Sequence, residues 1–87
     1  MIIRTHWCFD KKFLKLREAE KQRFKKRRDL FLENPFDPIL RNHALHGKYE
    51  GFRSISVGGD LRAIYKYEAK DAIIFADIDT HHNLFGN

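Results

Sequence analysis

Four of the chain's five histidines come in two pairs. His43 and His46 lie three apart in NHALHGKY, and His81 and His82 are adjacent in the C-terminal stretch IIFADIDTHHNLFGN. Paired histidines suggest a metal first, but no carboxylate or cysteine stands locally to complete a ligand set. Neighbouring side chains of an extended backbone also point to opposite faces. No metal and no other cofactor is therefore expected. Acid–base work suits imidazole better, because it titrates near neutrality, at about pH 6.5. Attack of a ribose 2′-hydroxyl on its own phosphodiester needs a base for the hydroxyl and an acid for the leaving 5′-oxygen. It also needs cations for the charge that develops on the phosphoryl oxygens. Histidines supply the first two, Arg53 and Arg62 could supply the third, and Asp60 could orient a histidine or act as a base. The alternative is that the histidines are scattered on the surface and do nothing.

Charge points to a partner of the same kind. The net charge is +5, and between Asp10 and Asp29 ten Lys and Arg stand against four acids. The remaining residues carry seven against eight, so the excess is confined to one block. Such a block favours a polyanion, because each neutralised phosphate releases counterions; otherwise it is a solvated helix face that serves solubility.

These residues must be held by a small scaffold. Eighty-seven residues with eight Phe are enough for one compact domain, 1–87, with no linker or repeat. The single Cys8 excludes an internal disulfide and suits a reducing cytoplasm. No apolar stretch long enough for a signal peptide or membrane span is present. MIIRT reads as a short strand, and DKKFLKL as a helix capped by Asp10 with Phe13 and Leu16 on one side. EAEKQRFKKRRDLFLEN reads as a longer helix with Phe24 and Phe31 on one stripe, stopped by Asn34-Pro35. The period then changes to two. GFRSISV and DLRAIYKYE flank a Gly58-Gly59 hairpin turn, and DAIIFADID follows a second turn at Ala69-Lys70. The expected fold is α+β, with two helices on one face of a small twisted, mainly antiparallel sheet.

If Val57 faces Asp60 across that turn, then Arg53, Ile55, Arg62, Ile64 and Lys66 share one face. Phe52, Ser54, Ser56, Leu61, Ala63, Tyr65 and Tyr67 share the other, which is expected to meet the helices. A bulge at the turn would shift this register.

The tract FLENPFDPILRNHALHGKYEGFRSISVGGDLRAIYKYE, followed by IDTHHNLFG, resembles the RelE/ParE toxin superfamily, with the YafQ-type branch nearest. The likeness spans essentially the whole chain. It implies the order β-α-α-β-β-β with a short C-terminal helical turn. It also implies the toxin of a microbial type II toxin–antitoxin pair. YafQ-type toxins cut mRNA in the ribosomal A site without a metal, and are silenced by a bound antitoxin that is small and DNA-binding; the complex binds operator DNA. By the same resemblance, His81 corresponds to the C-terminal general acid and Phe85 to the aromatic that packs the substrate base. His43 matches the histidine before the hairpin, Asp60 the acidic residue opening the next strand, and Arg62 and Arg53 the phosphate-contacting cations. His46 and Lys48 are expected to adjoin the substrate, and Lys25, Lys26 and Arg28 to grip ribosomal RNA. One departure stands out: a histidine usual near the end of the second strand is replaced by Ser56 or Ser54. Either His46 takes that role, or Arg62 replaces it electrostatically, or the toxin is weak. ParE-type relatives instead inhibit DNA gyrase by binding, which needs neither His43 nor THHNLF. A toxin-like corepressor without activity also fits the charge.

Overall fold

The change of period after residue 50 divides the molecule as expected, with helices first and a meander of strands second. The computed structural model describes residues 1–86. It runs β1 (Ile2–Thr5), α1 (Trp7–Leu14), α2 (Glu18–Glu33), β2 (His43–Ala44), β3 (Arg53–Gly58), β4 (Leu61–Ala69), β5 (Ala72–Thr80) and α3 (His81–Phe85). Single 3-10 turns at Pro38–Leu40 and Gly47–Tyr49 flank β2. The five strands form one mixed sheet in the order β1-β5-β4-β3-β2. Only the β1–β5 pair is parallel, which the long connection between them, through both helices and β2–β4, allows. Among the described residues no helix is long and apolar enough to cross a membrane.

The helices bury an aromatic core against one sheet face. Phe24 and Phe31 of α2 are both buried, as their seven-residue spacing implies, and Phe13 and Leu16 pack beside them. Phe24 meets Phe75 edge to face with ring centroids 5.2 Å apart, and Phe31 meets Tyr65 at 5.0 Å. A second, smaller cluster lies on the other face, where Leu45, Ile64 and Leu84 pack with Tyr49, Phe52 and Phe85. This cluster docks α3, so the histidine pair does not stand on a loose end.

Four local expectations need correction. The N-cap of α1 is His6, whose Nδ1 accepts from the Cys8 N–H at 3.1 Å, and Asp10 lies one turn inside. The first hairpin pairs Gly58 with Leu61, so its turn residues are Gly59 and Asp60. Gly58 and Gly59 both have positive φ, 107° and 55°, which lets the strand leave its ladder at this point. The second turn moves by one in the same way, with Ala69 opposite Ala72. Finally, Val57 is bulged, so Ser56 pairs with Arg62, Ser54 with Ile64 and Arg53 with Tyr65. The faces are therefore not those expected. Arg62, Ile64, Ser54 and Ser56 share the face that carries α3, while Arg53, Ile55, Leu61, Ala63 and Tyr65 share the helix-covered face. Burial decided the register: it puts Ile55, Ala63 and Tyr65 against the phenylalanines.

Candidate active site

The α3 face of the sheet gathers most of the chemically capable residues. The β5 strand ends at Thr80, whose hydroxyl caps α3 by accepting from the Asn83 N–H at 3.2 Å. Capping turns the chain so that His81 occupies the first helical position and Phe85 the last. Their rings lie 4.9 Å apart, and Phe85 is in turn held edge-on by Tyr49 at 5.6 Å. The His81 N–H donates to the Asp60 carbonyl at 2.8 Å. The hairpin turn and the C-terminal helix are thereby locked together, and Asp60, exposed and with its carboxylate unengaged by any described residue, stands beside His81. His82 is also exposed, one position further around the helix.

Two rows of side chains cross this face. His43, Ser54, Ile64 and Asp77 are cross-strand partners in one row, and Ser56, Arg62 and Asp79 in the next. His43 is exposed on the two-residue strand β2, with its Nδ1 2.7 Å from the Arg41 carbonyl. A carbonyl only accepts, so Nδ1 is the donor in this contact, the tautomer that makes Nε2 the acceptor of a neutral ring. The Arg62 guanidinium donates to the Gly59 and Leu61 carbonyls, both at 3.1 Å, which draws it toward the turn that anchors His81. Ser56 stands where the related histidine was expected; its hydroxyl accepts from the Gly58 N–H at 3.3 Å and stabilises the bulge. The Ser54 hydroxyl is buried without a partner among the described residues.

Other candidates fall elsewhere. Arg53 lies behind the sheet, its guanidinium over the Phe36 ring at 5.4 Å and its Nε donating to Asn42 Oδ1 at 2.9 Å. Asn42 also accepts from the Tyr65 hydroxyl at 3.0 Å, so Arg53 braces the segment that leads into His43. His46 is exposed and 3.8 Å from Glu50, and Lys48 lies over the Tyr49 ring at 5.2 Å. Lys25, Lys26 and Arg28 sit on α2, remote from the α3 face; the two lysines are exposed, and Arg28 is partly engaged by Asp29 at 3.2 Å.

One network was missed by sequence reasoning. Lys12 of α1 reaches the C-terminal half of β5, beyond its pairing with β1, and bridges Asp77 Oδ1 at 2.9 Å and Asp79 Oδ2 at 3.1 Å. Burial pushes Lys12 down, but its bonds to the two carboxylates outweigh that and raise it above its ordinary value. Burial likewise pushes Asp79 up, yet donation from Asn83, the Thr80 N–H and Lys12 brings its carboxyl below the usual range. Tyr49 is raised, by burial first and by Asp77 second. The alternation Asp77-Ile78-Asp79 signalled two carboxylates on one face; nothing in the sequence named their partner. Among the described residues no three His, Cys, Asp or Glu side chains converge as a metal site would require.

The family profile described as "Bacterial toxin of type II toxin-antitoxin system, YafQ" matches residues 3–86. The chain is similar to the crystal structure of YafQ from Escherichia coli strain BL21(DE3), at 26% identity with a TM-score of 0.78, covering 97% of each chain. It is similar at the same identity and coverage to the toxin in the Escherichia coli DinJ-YafQ complex, with a TM-score of 0.76. The archaeal RelE-RelB complex from Pyrococcus horikoshii shares the fold, at 24% identity, a TM-score of 0.72, and coverage of 91% of this chain and 92% of the other. No curated protein matches at a comparable level.

Proposed function

Because the chain belongs to the YafQ family of toxins of type II toxin–antitoxin systems, we propose that it is an endoribonuclease that cuts mRNA in the ribosomal A site. The observation that carries this reading is the lock between the Asp60 carbonyl and the His81 N–H, which sets an exposed imidazole beside Phe85 on the sheet face that carries Arg62 and His43. In this reading the substrate base packs against Phe85. His43 Nε2 takes the proton of the ribose 2′-hydroxyl, whose oxygen attacks phosphorus. Arg62 holds the charge that develops on the phosphoryl oxygens. The bond to the 5′-oxygen breaks as the His81 imidazolium delivers a proton to it, leaving a 2′,3′-cyclic phosphate. No metal-bound water enters this sequence. Asp60 positions His81 through the carbonyl that accepts the His81 N–H, and Arg53 acts through the Asn42 brace. Ser56 supplies no imidazole, so the electrostatic work at that position falls to Arg62.

The solved complexes support a regulatory partner: Escherichia coli YafQ is found with DinJ, and the archaeal RelE with RelB. By analogy this chain is silenced by a small cognate antitoxin, and the pair binds operator DNA.

The test is cleavage of mRNA on programmed 70S ribosomes. His81→Ala is expected to lower the rate by roughly two to four decades, the usual worth of one acid–base group, while retaining antitoxin binding. His82→Ala is expected to cut normally. Wild-type protein that leaves ribosome-bound mRNA intact but blocks gyrase supercoiling would overturn the proposal in favour of a ParE-like activity.

A further inference from the structure

Beside Arg62, where α2 passes the end of the first hairpin, a cleft of about 430 Å³ opens between Arg27, Arg41, Arg62, Ser56 and the Gly58-Gly59 backbone. Three guanidiniums from three different elements converge on it. None of them is ion-paired with a carboxylate among the described residues. Arg27 is half-buried and is aimed by donating to the Ile39 and Ser56 carbonyls at 3.2 and 3.0 Å. Arg41 is the one described non-glycine residue with a positive φ, 49°, and so leaves the 3-10 turn in a direction few side chains take. A fourth cation, Arg23, lies against Gly58, its Cδ 2.9 Å from where a Cβ would stand. The missing Cβ of Gly58 thus lets the Arg23 side chain approach the backbone at the floor of the cleft. Like charges lining one cleft repel, and no carboxylate among the described residues pairs with them. Guanidinium forks match phosphate oxygens in geometry as well as sign.

We propose that this cleft is a second phosphate site, taking the phosphodiester next to the one cleaved, with Arg27 and Arg41 as its ligands and Arg62 between the two phosphates. The inference rests on the nuclease reading above and extends it to the path of the RNA, which would run from Phe85 past Arg62 toward α2.

The test couples charge on the protein to charge on the RNA. Ribosome-bound mRNAs carry a single neutral methylphosphonate linkage on one side or the other of the cut, and single-turnover cleavage is measured with wild type, Arg41→Gln and Arg27→Gln. Neutralising one of the two flanking linkages should slow the wild type about tenfold, the scale of one charge-assisted contact. Arg41→Gln should be slowed about as much on native mRNA and should be indifferent to that neutral linkage, because the partners are already parted. Arg41 is exposed, so its variant should fold; the modified RNA with unaltered protein gives the same reading without any substitution. Additive effects would overturn the site while leaving the nuclease standing. A wild type that cuts no mRNA at all would overturn both. Unchanged cleavage by Arg41→Gln together with lost antitoxin affinity would also overturn it, and would give the cleft to an acidic segment of the antitoxin.

Discussion

Replacing Asp79 by alanine should loosen the helix that carries His81, and the size of the effect follows from how its two oxygens are used. Oδ1 accepts from the Thr80 N–H at 2.8 Å and from Asn83 Nδ2 at 2.9 Å, while Oδ2 faces Lys12 at 3.1 Å. The Lys12 side chain is 39% exposed and that of Asp79 24%, so solvent screens their attraction to about 0–1 kcal/mol. The two bonds to Oδ1 contribute about 0.5–1.5 kcal/mol each. Asp79→Ala should therefore cost about 2 kcal/mol, which in a chain of this size lowers Tm by about 8–16 °C. Asp79→Asn keeps Oδ1 and gives up only the ion pair, so its Tm should fall by no more than about 8 °C. If the network positions α3, cleavage should drop in the alanine variant and largely return in the asparagine one. The pH dependence has a definite sign. A carboxyl held below its ordinary 3.8 adds stability above that pH, and the contribution is lost as pH falls through the lower folded value. Lys12, raised above 10.5, adds stability below that pH and loses it as pH climbs past the folded value. The gap between wild type and Asp79→Asn should thus be open near neutrality and close in strong acid. The assay is thermal melting from about pH 2.5 to 8, paired with cleavage at pH 7. A loss under about 0.5 kcal/mol for Asp79→Ala, with cleavage intact, would show that Leu84 and Phe85 hold α3 unaided and would refute the argument.

Three further outcomes are expected. Arg53→Ala should act on stability more than chemistry, lowering Tm by several degrees through loss of the Asn42 bond and the Phe36 contact, whereas Arg62→Ala should lower cleavage with a smaller melting shift; the reverse pattern in melting and rate would sink the assigned faces. Reversing Lys25, Lys26 and Arg28 to Glu should weaken co-sedimentation with 70S ribosomes and reduce its salt slope by roughly one unit per lost contact, with the lysines dominating because Asp29 already engages Arg28; an unchanged slope would remove α2 from the ribosome contact. Cleavage should survive chelation once the ribosomes' own magnesium need is met, and products should end in 2′,3′-cyclic or 3′-phosphate, since 3′-hydroxyl ends would mean metal-activated water.

Local chemistry settled much of this protein before any tertiary contact was considered. The seven-residue interval between Phe24 and Phe31 already defines a helix with one buried stripe, and Asn34-Pro35 its end, because 3.6-residue periodicity and the steric demand of proline are properties of the chain alone. Period-two alternation from residue 52 likewise announces a meander, and THHNLF marks a chemically capable terminus. Facing could not be read this way. A strand's side-chain period is two, so a single bulged residue, Val57, exchanges the faces of everything beyond it. Local propensity is indifferent between the two registers; only the burial of Ile55, Ala63 and Tyr65 against the phenylalanines discriminates. Arg53 and Arg62, which look equivalent in sequence, were separated by that choice. The same holds for Lys12 with Asp79, 67 positions apart, and for Arg27 with Arg41 and Arg62. Their meeting depends on where α1 and α2 come to rest on the sheet, and that is decided by the summed packing of the core rather than by any residue near them in the chain.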